Sequence, residues 1–227
     1  MKNFRISILG FILISNLSCT SGDTPLMIAS QHGHVKAVEV LVECNSNVDL
    51  QNKDGRTALM EASSRGHAYV VDKLLECSAN VDLQNRWGKT ALIFASLNRH
   101  ADVVDTLLAK GANVDLQNIN GQTALIYAAE NGHADVVEKL LFKNANVDLQ
   151  DCSDQTALMY ASWDGHADVV EKLLFKNANV DLQDYSGKTA LMYAAENGHG
   201  EVVELLKNAS EGDLHSKSKR RCVKKSH

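Results

Sequence analysis

Apolar positions in this chain follow a compound rhythm that restarts every 33 residues. In the stretch from Gly55 to Trp87, Leu59, Met60, Ala62 and Ser63 share one side of a first helix that ends near Gly66. A second helix starts near Ala68 and carries Val70, Val71, Leu74 and Leu75, a stripe wider than a surface helix needs. A helix of that kind is covered twice, by its own partner and by the next unit. Val81 and Leu83 then alternate with Asn80 and Asp82, the period of two of a short half-buried strand, with Asn or Asp and a glycine nearby to turn the chain. One unit therefore reads helix, helix, extended hairpin.

Blocks open at Gly22, Gly55, Gly88, Gly121, Asp154 and Gly187, giving repeats 22–54, 55–87, 88–120, 121–153, 154–186 and 187–213. A fixed period of this length signals stacked units, each burying its apolar face only against its neighbours. Residues 22–213 are expected to form one elongated, mostly α solenoid, flanked by an apolar segment at 1–21 and a basic tail at 214–227. Thr57 sits where a helix N-cap belongs. Small pairs such as Ala62/Ser63, Ala95/Ser96 and Ala128/Ala129 let neighbouring backbones approach. Gly111, Asn144 and Asn177 stand where the second helix ends, and these residue types reach the left-handed conformation most cheaply. The last repeat reads as one residue short between Glu204 and Leu205, which would rotate the Leu205/Leu206 pair about the helix and mark a polar C-terminal cap.

The pattern G-x-T-A-L-x-x-A-[AS]-x-x-G-H-x-x-V-V-x-x-L-L in six copies resembles the ankyrin repeat, whose unit length it shares. The resemblance spans residues 22–213 of 227. It implies an ankyrin-type solenoid of stacked helix–helix–β-hairpin repeats. Only Thr24-Pro25-Leu26 keeps the family's proline, and the histidine that normally follows is Met27, Met60, Ile93, Ile126, Met159 or Met192. Arg99 replaces the glycine before His100. If φ is positive there, the mismatch costs about 1 kcal/mol.

Constant columns are poor candidates for chemistry. His34, His67, His100, His133, His166 and His199 are one repeat apart, roughly 10 Å, while a zinc–nitrogen bond is about 2 Å. Each is expected to bond backbone groups near its hairpin. Asp49, Asp82, Asp115, Asp148 and Asp181 are too widely spaced for a paired-carboxylate mechanism and are expected to bond locally within loops. No phosphate-cradling loop, nucleophile elbow or zinc spacing occurs, so no enzyme, cofactor or metal is expected. Of the five cysteines, Cys44 and Cys77 share a column and stand beyond the roughly 7 Å reach of a disulfide. Free thiols, buried or partly buried, are the default, with Cys152 on the surface near a hairpin tip.

Recognition then belongs to the columns that differ between repeats: the hairpin tips and one face of the first helix. The family resemblance implies that these line a concave groove that binds other proteins. Aromatic residues concentrate there, and they are enriched at binding hot spots. The candidate surface is Arg86, Trp87, Phe94, Tyr127, Tyr160, Trp163 and Tyr185. The competing reading is that Phe94, Tyr127, Tyr160 and Tyr193 merely cover the first helices.

Charge narrows the partner. The chain carries a net −5, but eight of its 23 Lys and Arg residues lie in 1–21 and 214–227, so the repeats hold 15 bases against 28 acids. That field disfavours nucleic acid on the repeats and favours basic protein surfaces. The array is expected to be a monomer. At the N-terminus, Lys2 and Arg5 precede an apolar run over 6–14 and small residues at 19–21, the layout of a secretory signal peptide too short to span a bilayer. It predicts secretory entry or membrane association. The alternatives are a degenerate helix from a truncated upstream repeat and, by the habit of the family, a cytoplasmic or nuclear home. Lys217 to Lys225 reads as a solvated tail or, more sharply, as a nuclear-import or anionic-surface segment. Asn208-Ala209-Ser210 matches a glycosylation sequon by pattern.

Overall fold

Six threonines open six helices. Thr24, Thr57, Thr90, Thr123, Thr156 and Thr189 hold extended backbone, and each hydroxyl accepts the N–H three residues on, at 3.2–3.4 Å. This satisfies one of the donors that a helix start leaves unpaired. The helices they cap are α1 (Pro25–Gln31), α3 (Ala58–Arg65), α5 (Ala91–Leu97), α7 (Ala124–Glu130), α9 (Ala157–Asp164) and α11 (Ala190–Glu196). Their partners are α2 (Val35–Glu43), α4 (Ala68–Glu76), α6 (Ala101–Ala109), α8 (Ala134–Phe142), α10 (Ala167–Phe175) and α12 (residues 200–210). The computed structural model describes residues 22–44 and 46–210. The signal-like segment, the basic tail and the end of the last repeat lie outside the described residues.

Two compact units divide at Ile119 and Asn120. In the first, α1, α3 and α5 pack side by side in one layer and α2, α4 and α6 in a second. The second unit repeats this arrangement with α7, α9 and α11 against α8 and α10, and α12 follows as the last partner helix. The small pairs sit at the closest approach of the first helices. Ala62, Ser63, Ala95, Ser96, Ala128 and Ala129 have no exposed surface. The positions that replace the family's histidine are apolar and nearly fully buried from Met27 to Met159, whereas Met192 in the last repeat is exposed.

The left-handed positions fall where the sequence placed them, with φ of +87° at Gly111, +59° at Asn144 and +60° at Asn177. Ser78 takes the same conformation, with φ of +63°.

The stacked helix pairs are as expected, and two details differ. First, the described residues contain no strand, so no β-hairpin is confirmed among them. The side-chain oxygens of Asn47, Asn80, Asn146 and Asn179 each accept the N–H two residues on, and this local bond folds the segment into a turn instead of a ladder. Each tip is a tight loop, closed at 85–89 by Asn85 N–H to the Lys89 carbonyl at 3.0 Å and Gly88 N–H to the Asn85 carbonyl at 2.9 Å. Second, the last repeat lacks no residue. Val202 and Leu206 are 1 % exposed, at the positions of Val169 and Leu173, so α12 is in register. Leu205 simply replaces a lysine and Lys207 a leucine.

Candidate protein-binding surface

The constant polar columns tie one repeat to the next. His67 Nε2–H donates to the carbonyl of Gln31 at 3.1 Å, and His100, His166 and His199 reach Ser64, Glu130 and Trp163 in the same way. The acceptor lies in the last turn of the preceding first helix, 36 residues back, and not near the hairpin. The imidazole also explains the glycine that ends that helix. A Cβ at Gly33, Gly66, Gly132 or Gly165 would come within 2.4–2.7 Å of the ring from the following repeat.

The aspartate column likewise acts between repeats instead of within a loop. Asp49, Asp82 and Asp148 accept the backbone N–H of Asn80, Asn113 and Asn179 at 2.9–3.0 Å, each 31 residues on. Sequence reasoning passed over the glutamines beside them. Gln51 and Gln84 Nε2 each donate to a carbonyl of their own loop and to the backbone of the next repeat's glutamine. The recurring N-V-D-L-Q tail was the signal for both.

The tip residues Asn52, Asn85, Asp151 and Asp184 hold the loops from inside. One side-chain oxygen of each accepts two backbone N–H groups, two and four residues on, at 2.8–3.0 Å. In the last two, the second carboxylate oxygen receives a phenol. Tyr160 donates to Asp151 at 2.8 Å, and Tyr193 donates to Asp184 in the same way. Burial and the bond to Asp151 push the Tyr160 phenol well up, and the same causes raise Tyr193 to about 12.

The candidate residues are distributed as follows. In the first unit Arg86 is exposed, Trp87 is 47 % exposed and Phe94 only 8 %. Phe94 lies under the Arg56 guanidinium, 4.4 Å from the ring centre. Arg56 in turn pairs with Glu61, with Nε 2.6 Å from Oε1. Burial raises the Glu61 carboxyl and Arg56 draws it partly back. In the second unit Tyr127 is buried like Phe94, Tyr160 is half-buried, and Trp163 and Tyr185 are exposed. Trp163 lies one turn on from Tyr160, so the two share a face of α9. Its ring meets that of Tyr193 at 4.9 Å. The cover reading thus fits Phe94, Tyr127 and Tyr193, with Tyr160 half-buried, while the tryptophans and Tyr185 face solvent.

A family model described as ankyrin repeats in three copies matches residues 5–85, 66–151 and 139–218. The chain belongs to the ankyrin repeat family. No curated protein matches it significantly. The first family match begins at residue 5, inside the segment read as signal-like.

In this ankyrin array the described cysteines are all exposed: Cys152 as expected, and Cys44 and Cys77 contrary to the expectation of burial. Cys44 and Cys77 follow the last turns of α2 and α4, where the chain leaves the packed layer. Asp154 is the one opening position without glycine, and it keeps a positive φ of +58°. A Cβ at the equivalent Gly121 would come within 2.8 Å of the next tip's backbone. Beside Asp154 the bond from Gln150 to the Gln183 carbonyl is long, at 3.4 Å. The corresponding glutamine bonds from Gln51 and Gln84 are 2.9 Å.

Proposed function

We propose that the chain is a non-catalytic scaffold that grips a protein partner with its loop tips and first-helix faces. Ankyrin repeats are generally non-catalytic modules for protein–protein interaction. The observation that carries the finer reading is a division of labour among the polar and aromatic side chains. The repeated His, Asp and Gln columns are spent on bonds between repeats, whereas Trp87, Trp163 and Tyr185 lie in variable columns and face solvent. Large amphipathic rings held by a rigid scaffold make contact area at little entropic cost. Arg86 adds a donor beside Trp87, and the acidic repeats favour a partner with a basic surface.

Partner identification by in-cell crosslinking, followed by affinity measurement with Trp87→Ala and Trp163→Ala, tests the reading. Loss of about tenfold or more in at least one variant is expected. Full affinity in both, with the fold intact, overturns it. A second reading rests on the sequence of the two ends, in which the segment at 1–21 or the basic tail carries the array to a membrane or the nucleus. There, truncation of the ends abolishes function while both tryptophan variants retain it. Among the described residues no helix is long and apolar enough to cross a membrane.

A further inference from the structure

Twice on the first-helix side of this chain a ring, a carboxylate and a cation meet. Arg56 lies 4.4 Å over the Phe94 ring and is paired with Glu61. Lys188 lies 5.4 Å from the centre of the Tyr193 ring and is paired with Glu196 at 2.6 Å. The negative face of a ring and a carboxylate attract the same positive charge, so the two act together on it. Trp163 has the ring and the acids without the cation. It is 49 % exposed, and its ring meets that of Tyr193 at 4.9 Å. Among the described residues no lysine or arginine lies over it.

The column around Trp163 is acidic. Glu130 stands one repeat before it, Glu196 one repeat after it, and Asp164 follows it directly at the end of α9. Because α7, α9 and α11 pack side by side, these positions share one face of the layer. The Glu130 charge is one of the causes that raise the Tyr160 phenol, which brings that carboxylate toward the turn of α9 before Trp163. In the variable columns of the second unit Glu130, Asp154, Asp164 and Glu196 stand against Lys188 alone. The bond between Lys188 and Glu196 neutralises one of them, and the excess that remains is negative, with Asp154 and Asp164 exposed. In the first unit the same columns carry Lys53, Arg56, Arg65, Arg86 and Lys89 against Asp23, Asp54 and Glu61, so Trp87 stands among charges of the opposite sign.

We propose that Trp163 receives an arginine side chain of the protein partner, its guanidinium stacked on the indole and its charge held by Glu130 and Asp164. The inference rests on the scaffold reading above and gives the partner's chemistry at the second unit. Charge complementarity selects the occupant. An apolar side chain would use the ring and leave the carboxylates unanswered, and an acidic side chain or a phosphate backbone would be repelled by them. Among side-chain rings indole attracts cations best, and a guanidinium is planar and more weakly hydrated than an ammonium, so it gives up less water to stack there. The two cation–ring contacts already made by Arg56 and Lys188 use the chain's own side chains, and at Trp163 the partner supplies the third.

NMR titration of the isotope-labelled full chain with a capped tri-arginine peptide tests the proposal. The Trp163 indole N–H and the amides of α9 and α11 are expected to shift together, while the Trp87 indole stays in place. Trp163→Leu keeps an apolar side chain and removes the π face, and it should weaken binding by about fivefold or more. Glu130→Gln/Asp164→Asn should weaken it by a similar factor. Glu171→Gln/Glu204→Gln removes the same charge from the second helices and should leave the affinity within about twofold. Absence of binding, equal shifts at both indoles, full affinity in Trp163→Leu, or equal weakening by the two acid pairs overturns the proposal. A cellular partner that loses affinity with Trp163→Ala but not with Glu130→Gln/Asp164→Asn leaves the scaffold reading standing and overturns the arginine.

Discussion

The hydroxyl of Tyr160 donates to Oδ2 of Asp151 at 2.8 Å, joining a first helix to the loop nine residues before it. The same bridge recurs between Tyr193 and Asp184. Where the loop residue is Asn52 or Asn85, the position nine residues on is Glu61 or Phe94, although Asn118 is followed there by Tyr127. Asparagine carries its own donor, and Asn52 gives it to Asp23 at 2.6 Å. Asn85 has no such acceptor, and its buried amide nitrogen lacks a partner. Aspartate carries no donor on its second oxygen, and tyrosine provides one.

A double-mutant cycle on this pair should show coupling. Tyr160→Phe removes the hydroxyl of the bridge and should cost about 1–2 kcal/mol, since the carboxylate of the buried Asp151 loses a donor. In an Asp151→Asn background the same change should cost clearly less. Chemical denaturation of the four proteins measures the coupling, and additive costs would remove the bridge from the stability account.

Stability should depend on pH through the second bridge. Burial works to raise the Asp184 carboxyl, but the Tyr193 hydroxyl and the N–H groups of Lys188 and Ser186 outweigh it and hold the group below its usual range. A lowered folded value contributes stability that is present above the ordinary carboxylate pKa of about 3.9 and is lost as pH falls through the lower folded value. Tyr193 runs the other way. Its folded value of about 12 contributes stability that is intact below the ordinary phenol value of about 10 and is lost as pH rises toward 12. Absorbance titration should show a late-ionising phenol that Tyr193→Phe deletes. The melting temperature of Asp184→Asn should fall less steeply below about pH 4 than that of the wild type.

Backbone strain predicts two stabilising changes. Arg99 holds a φ of +58° in place of the glycine that usually ends the first helix. Arg99→Gly should stabilise by about 1 kcal/mol. Asp154→Gly should gain less, about 0.5 kcal/mol, because aspartate tolerates this conformation better. An unchanged or lower melting temperature for Arg99→Gly would count against positive φ as the cost.

Buried hydroxyls predict a third. The side-chain oxygens of Ser30, Ser63 and Ser96 are buried without a partner, whereas Ser162 donates to the Leu158 carbonyl at 2.6 Å. The same column holds Ala129 and Ala195. Ser63→Ala should be neutral or stabilising by up to about 1 kcal/mol, and Ser162→Ala should lack that gain. A loss of stability in Ser63→Ala, measured by thermal melting, would show that its hydroxyl is satisfied in solution.

How much of this was legible beforehand depended on the range of the interaction. Thr57 and the other caps, the left-handed Gly111, Asn144 and Asn177, and the two apolar stripes of each repeat obey rules that act within about four residues. A local pattern records such rules directly. The alternation around Val81 and Leu83 misled because the side chain of Asn80, also local, competes for the same backbone.

The sequence by itself determined the repeat, its helices, their caps and the family. Only the tertiary structure decided what the polar columns do, because the partners of His67, Asp49 and Gln51 stand 36, 31 and 33 residues away, beyond any local rule. It also decided which aromatics face water. Phe94 and Tyr127 are covered and Phe142 and Phe175 are not, since stacking, not residue type, fixes which side of a helix a neighbour can reach.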